Sequence, residues 1–214
     1  PQGYEINPTV YVCHFTPDES GRKWISFDMT ATIPQAQVMG GVGIRKVDAE
    51  DGTANPRGAA SLDGATFAIY NASEHAVTVD DAVYEPQTLE DVQAGTAQAI
   101  MTIEAHEGVA TTDTDGDGAD ASLPFGTYYL REVACGNGYL LDDTVRTVEV
   151  REAGAVTWCE DACANQVIRG DIAFDKVYED TKATIPGVAF LVESTTTHER
   201  HVVVTDATGH VDTS

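Results

Sequence analysis

Short segments that alternate polar and apolar residues recur along this chain, and they predict β-strands. The alternation is clearest over residues 144–151, while residues 126–133 are rich in aromatic and β-branched side chains. Residues 65–70 and 201–205 have a similar character, and residues 89–100 indicate a short helix. Asp-Gly and Gly-Asn-Gly turn sequences separate these segments. The pattern therefore predicts an all-β fold of antiparallel β-sandwich type.

An internal repeat divides the chain into modules. The sequence of residues 43–48 recurs in similar form at residues 173–178, and residues 64–69 match residues 187–192. The repeat predicts the C-terminal part of one module at residues 1–40, a complete module at residues 41–168, and the N-terminal part of a following module at residues 169–214. Modules in tandem are more typical of a stalk than of an enzyme.

Three polar residues interrupt otherwise apolar rows of the predicted strands. Because side chains alternate across a strand, Lys46 and Glu132 each share a face with the apolar residues two and four positions before them. Asn165 shares a face with Cys163 in the last strand predicted for the complete module. An amine or a carboxyl group is rarely fully buried unless it is paired. We therefore expect these three polar side chains to meet inside the module.

Two chemical outcomes of such a meeting are open. Burial disfavours the charged forms of amines and carboxylic acids, an uncharged amine is a nucleophile, and a neighbouring carboxyl group can carry protons. The amine of Lys46 could then attack the side-chain carbonyl of Asn165, release ammonia and leave an amide crosslink. The alternative is an ordinary buried ion pair between Lys46 and Glu132, with an added amide hydrogen bond.

Four motifs of the complete module occur in a characteristic order. They are Lys46-Val47-Asp48, residues 62–70, the segment 123–133 with its Leu-Pro-Phe-Gly-Thr-Tyr sequence, and Gly138-Tyr139. Together they resemble the Cna protein B-type domains, also described as SpaA-like or prealbumin-like, which form the stalks of Gram-positive surface adhesins and pilins. The resemblance covers the complete module and both partial ones. It implies tandem modules with a prealbumin- or immunoglobulin-like β-sandwich fold.

The resemblance also implies a role for each of the three polar residues. In that family a lysine of the first strand bonds an asparagine or aspartate of the last strand, assisted by a glutamate in the Gly-Thr-Tyr strand. The matching residues are Lys46, Asn165 and Glu132. Lys176 occupies the position of Lys46 in the following module. We expect Lys176 to be unbonded, because its acid and amide partners would lie beyond Ser214.

Charge and cysteine content narrow the kinds of partner, disulfide and metal site to expect. A balance of 12 basic and 35 acidic residues gives a net charge of −23, which argues against nucleic acid and against an anionic membrane as partners. The four cysteines suit disulfides in an oxidising extracellular setting better than a zinc site. The expected pair is Cys135 with Cys159 or Cys163, and the role of Cys13 stays open. Residues 113–118 begin like a calcium loop but lack its acidic twelfth ligand, so no metal or cofactor is expected.

The sequence therefore favours a structural stalk module of a bacterial cell-surface adhesin or pilin-like protein. Its expected partners are neighbouring modules of the same polypeptide and host surface ligands, and the resemblance implies an extracellular, cell wall-anchored location on a Gram-positive bacterium. Because the self-reaction occurs once per chain, we do not expect an enzyme. The alternative is an adhesive module in which residues 71–107 bind a host glycan or protein, although Tyr84 is the one aromatic residue of that insert.

Overall fold

The computed structural model describes residues 3–10, 34–113, 123–195 and 198–214. Cys13 and most of the acidic segment 113–118 lie outside the described residues. Within the described ranges there are fifteen short strands and one helix. They are β1 (Met39–Asp48), β2 (Thr66–Asn71), β3 (Val77–Val79), β4 (Ala82–Tyr84), α1 (Leu89–Ala94), β5 (Met101–Glu104), β6 (Val109–Thr111), β7 (Leu123–Pro124), β8 (Gly126–Ala134), β9 (Arg146–Val150), β10 (Val156–Trp158), β11 (Cys163–Asn165), β12 (Ala173–Asp175), β13 (Ala189–Glu193), β14 (Arg200–Val204) and β15 (His210–Asp212).

The first sheet of the middle module is organised around its first strand, β1. This strand pairs antiparallel with β6 and β7 and parallel with β10 and β11. In the parallel ladder Lys46 lies opposite Cys163, and Asp48 lies opposite Asn165. A parallel pair needs a long connection, which the rest of the module supplies. The predicted antiparallel sandwich therefore includes parallel pairing at the place where the first and last strands of the module meet.

The second sheet is antiparallel, with strand order β5-β2-β8-β9. The strands predicted at residues 65–70, 126–133 and 144–151 are confirmed as β2, β8 and β9, with small shifts at their ends. The predicted helix is confirmed in a shorter form as α1. It ends at Gly95, whose left-handed φ of 74° caps the helix.

The hydrophobic core lies between these two sheets. Side chains of β1, β2, β8 and β9 belong to one buried cluster, which includes Ile44, Phe67 and Leu130. Burial alternates along β8, whose even-numbered residues from Gly126 to Glu132 are buried. Burying a large apolar side chain contributes roughly 1.5–3 kcal/mol. The predicted all-β sandwich is thus confirmed, and its inner face also carries the polar residues considered below.

The flanking segments are smaller. Residues 3–5 hydrogen-bond to residues 36–38, with Tyr4 bridged to Gln37. After the middle module, β12 pairs with β15 and β13 pairs with β14, so the predicted strand at 201–205 is confirmed as β14. The repeat relates β12 to β1 and β13 to β2, while the division into three modules stays a prediction. In the described part of the chain, no helix has the length and apolar character needed to cross a membrane.

Candidate crosslinking site

Three polar side chains meet in the core of the middle module. Lys46 of β1, Glu132 of β8 and Asn165 of β11 are each fully buried. Lys46 and Asn165 come from neighbouring parallel strands, whereas Glu132 reaches them from the second sheet. The predicted inward orientation of the three residues is confirmed. Each of the three side chains points into the core because its residue lies on the inward-facing side of its strand.

The amine of Lys46 contacts all the groups that the proposed chemistry would use. Its Nζ donates a hydrogen bond to Oδ1 of Asn165. The same nitrogen lies 3.5 Å from Oε1 of Glu132 and 3.5 Å from the carbonyl oxygen of Cys163. Removing either member of a buried ion pair typically costs about 3–5 kcal/mol, because the other charge is left without a partner.

Hydrogen bonds fix the orientation of the Asn165 amide. Its Nδ2 donates to Oε2 of Glu132 at 2.8 Å and to the carbonyl oxygen of Leu140 at 2.7 Å. Two acceptors around Nδ2 leave Oδ1 directed at the amine of Lys46. The backbone N–H of Asp142 also donates to Oε2 of Glu132, at 2.8 Å.

The two oxygens of Glu132 therefore differ. Oε2 accepts two N–H hydrogen bonds, whereas Oε1 accepts none within the described part of the chain and faces the Lys46 amine. A proton on this carboxyl group is best placed on Oε1, because Oε2 is already occupied by donors. Glu132 thus links the amine on one side to the amide nitrogen of Asn165 on the other. Both outcomes considered from the sequence, crosslink and ion pair, use these same contacts.

A second buried polar group was missed by the sequence reasoning. Asp48 is fully buried and accepts hydrogen bonds from the Tyr139 hydroxyl at 2.8 Å and from the Glu50 backbone N–H at 2.7 Å. Burial raises the pKa of Asp48, but these two hydrogen bonds and the nearby Arg57 guanidinium outweigh it and hold the pKa below its usual value. The burial of Asp48 could have been predicted from the sequence, because Asp48 lies on the same face of the strand as Lys46.

The expected disulfide is not formed in the structure. Cys135, Cys159 and Cys163 are all free thiols. The Cys135 thiol donates instead to the carbonyl oxygen of Tyr139 at 3.0 Å, while Cys159 and Cys163 are buried in the core. Burial raises the pKa of Cys159 to about 11 and that of Cys163 to about 12. Cys163 lies beside Asn165, with which it shares a strand face, and its Sγ contacts Oδ1 of that residue.

Lys176 follows β12 and is half-buried. Its backbone N–H donates to the Gly209 carbonyl oxygen. Within the described ranges its amine makes no ion pair comparable to that of Lys46 with Glu132. Its unbonded state remains a prediction.

The insert proposed as an alternative binding surface, residues 71–107, is fully described. Tyr84, its one aromatic residue, packs against the core of the module. The large apolar side chains that the insert exposes are Val83 and Leu89. Val83 lies in a hairpin and Leu89 begins the helix, and neither residue is aromatic. This insert therefore exposes no aromatic surface for ligand binding.

A family model described as the SpaA prealbumin-like fold domain matches residues 40–161, more than half of the chain. The matched range includes Lys46 and Glu132 and ends shortly before Asn165. A search among curated proteins found no match.

Several solved structures match part of this chain. The Bacillus anthracis TIE protein matches with a TM-score of 0.57 and 20% identity, over 83% of this chain and 26% of that one. A group B streptococcus pilus 2b backbone protein matches with a TM-score of 0.38 and 21% identity, over 63% and 43% of the two chains. The shaft pilin SpaA from Lactobacillus rhamnosus GG matches with a TM-score of 0.32 and 14% identity, over 82% of each chain. This chain thus spans about a quarter of the TIE protein, whose likeness supports the fold.

Proposed function

Because the chain belongs to the SpaA family of prealbumin-like fold domains, we propose that it is a structural stalk module of a bacterial cell-surface adhesin or pilin-like protein. In this proposal the middle module is closed by an isopeptide bond between Lys46 and Asn165, formed with the assistance of Glu132. The protein acts outside the cell, anchored to the cell wall, and its partners are the neighbouring modules of the same polypeptide. The crosslinking reaction occurs once per chain, so the protein is not an enzyme.

The observation that carries this proposal is the buried contact between the Lys46 amine and the Asn165 amide, bridged by Glu132. A reaction between a lysine and an amide is slow in water, so it needs reactants held in contact. Fixing two groups in a reactive arrangement can lower a barrier by about 7–11 kcal/mol. The fold supplies this arrangement from three separate strands, β1, β8 and β11.

The chemistry starts with one proton transfer. A proton moves from Nζ of Lys46 to Oε1 of Glu132, which leaves an uncharged amine beside the Asn165 side chain. The nitrogen lone pair attacks Cγ of Asn165, a C–N bond forms, and Oδ1 takes up the negative charge.

Glu132 then completes the exchange. Nδ2 already contacts this carboxyl group by donating to Oε2; the carboxyl group turns its protonated oxygen towards Nδ2, donates that proton to it, and takes one from the attacking nitrogen. The bond from Cγ to Nδ2 breaks, ammonia leaves, and the carbonyl re-forms. The products are one amide and one ammonia molecule, with Glu132 left protonated. No oxidant, metal or cofactor is required by this balance.

Intact-mass spectrometry of the reduced, denatured chain tests the proposal. Loss of ammonia predicts a mass about 17 Da below that of the sequence. Protease digestion should then give a branched peptide that joins Lys46 to Asn165. Glu132→Gln and Lys46→Met should each restore the full mass of their own sequences.

Lys176→Met is the matched control, because Lys176 occupies the equivalent position in the following module. This variant should still lose about 17 Da, as the wild type does. A wild-type mass equal to that of its sequence would contradict the crosslink. The site would then be a buried ion pair in an otherwise ordinary sandwich module.

A further inference from the structure

A buried thiol lies against the atom on which negative charge would develop during crosslinking. Cys163 is fully buried on β11, two residues before Asn165 and on the same face of the strand. Its Sγ lies 3.3 Å from Oδ1 of Asn165, which is within hydrogen-bonding distance for sulfur. We propose that the Cys163 thiol donates a hydrogen bond to this oxygen during bond formation and is a further catalytic residue of the reaction. The inference rests on the crosslink proposed above.

The need for this donor follows from the contacts of Oδ1. Within the described part of the chain, the polar side-chain atoms that contact this oxygen are Nζ of Lys46 and Sγ of Cys163. Once Nζ has bonded to Cγ, its hydrogens cannot point at an oxygen on the same carbon with useful hydrogen-bond geometry. The amine is therefore lost as a donor at the moment when Oδ1 becomes negatively charged. The thiol remains in place to stabilise that charge, as donors in an oxyanion hole do.

The thiol is in the right protonation state for this role. Burial is the main cause that raises the pKa of Cys163 to about 12, so the sulfur keeps its proton at neutral pH. A competing acceptor, Oδ2 of Asp142, lies farther away at 3.6 Å and already accepts a hydrogen bond from Arg146 at 2.7 Å. As charge builds on Oδ1, the shorter contact becomes the stronger one. The same protonation state makes Cys163 a poor nucleophile.

The test compares crosslinking rates in the full chain. Cell-free synthesis gives a defined starting time, and intact-mass spectrometry of quenched samples follows the loss of about 17 Da. Cys163→Val keeps the size of the side chain but removes the donor, and Cys163→Ser keeps a donor. Removing a strong oxyanion donor slows catalysis roughly 100–1000-fold, and a thiol is a weaker donor, so we expect Cys163→Val to slow crosslinking about tenfold. Cys163→Ser should stay within about threefold of the wild type.

Cys159→Val is the matched control. Cys159 is also a buried thiol of the core, and its replacement should leave the crosslinking rate unchanged. Protease resistance identifies folded chains, and Cys163→Ala replaces Cys163→Val if the valine variant does not fold. A Cys163→Val or Cys163→Ala variant that crosslinks at the wild-type rate overturns the proposal. Equal slowing in the valine and serine variants also overturns it, since packing alone would then explain the effect.

The outcome also separates the two proposals. If the wild type loses ammonia while the Cys163 variants react as fast, the crosslink stands and the role of the thiol fails. If the wild type keeps its full mass, the crosslink itself fails, and the catalytic role of Cys163 fails with it.

Discussion

The proposed bond between Lys46 and Asn165 should stabilise the module mainly by closing a long loop. Lys46 and Asn165 are 119 residues apart in the sequence. In the chain-entropy description used for disulfides, closing a loop of this length lowers the entropy of the unfolded chain enough to contribute about 5 kcal/mol at 25 °C. A whole domain is typically stable by only about 5–15 kcal/mol. The bond would therefore supply a large share of the stability of the module.

The perturbation that isolates this contribution is Lys46→Met combined with Glu132→Gln. The pair removes both the nucleophile and the acid, so neither leaves a buried charge without a partner. The crosslinked wild type also holds no buried charge here, because its Lys46 nitrogen is part of an amide and its Glu132 is protonated, so the comparison changes the covalent link and not the buried charge. Glutamine at position 132 can also still accept the N–H bonds of Asp142 and Asn165 through its carbonyl oxygen.

Guanidinium denaturation followed by circular dichroism measures the difference. The crosslinked wild type should exceed the double variant by about 5 kcal/mol in free energy of unfolding, and its m-value should be smaller because its unfolded chain is more compact. Lys176→Met serves as the control and should match the wild type. A difference below about 1 kcal/mol, with the wild type shown by mass to be crosslinked, would refute the loop-closure reasoning.

Two further predictions concern residues around the site. Gly136→Ala should destabilise the module by about 1–3 kcal/mol in thermal unfolding, because its Cβ would clash with the Ser61 backbone oxygen. Gly170→Ala is its control and should stay within about 0.5 kcal/mol, because a Cβ there would meet no atom of the described residues within 4 Å. Tyr139→Phe should cost about 2 kcal/mol at pH 7, since it removes a hydrogen bond to ionised Asp48. Because the pKa of Asp48 is lowered in the folded protein, the stability that its carboxylate contributes is present above the unfolded pKa of 3.8. This stability is lost as the pH falls through the folded pKa. Denaturation between pH 7 and pH 3 should thus show the gap between Tyr139→Phe and the wild type narrowing in acid, and a constant gap would contradict this assignment.

Much of the candidate site could be predicted from the alternation of side chains along each strand. Lys46, Glu132 and Asn165 are polar residues in apolar rows, and alternation alone aims all three into the core. The pattern could not predict that β1 and β11 run parallel, because parity is the same for either direction of pairing. The parallel arrangement depends on how the whole module folds back on itself.

Other features depend on contacts between residues far apart in the sequence. The backbone N–H of Asp142 and the carbonyl of Leu140 orient the site, and backbone groups carry no sequence signal of their own. Cys163 was read as a disulfide candidate because cysteine count and spacing say nothing about what lies next to the sulfur. The structure instead sets its thiol against Asn165.

The position of the site within the module suits a stalk that carries tension. The chain enters the module at β1 and leaves it at β11, and these two strands lie side by side. A bond between Lys46 and Asn165, which are 119 positions apart, would carry force directly from one strand to the other, because the segment between them lies outside that path. Without the bond, stretching that segment would release roughly 400 Å of extended chain, at about 3.3–3.6 Å per residue. Asn165 is the last residue of β11, whereas Lys46 is the eighth residue of β1, so the bond would shield the whole segment between them from tension and leave only the start of the entry strand, residues 39–45, under load.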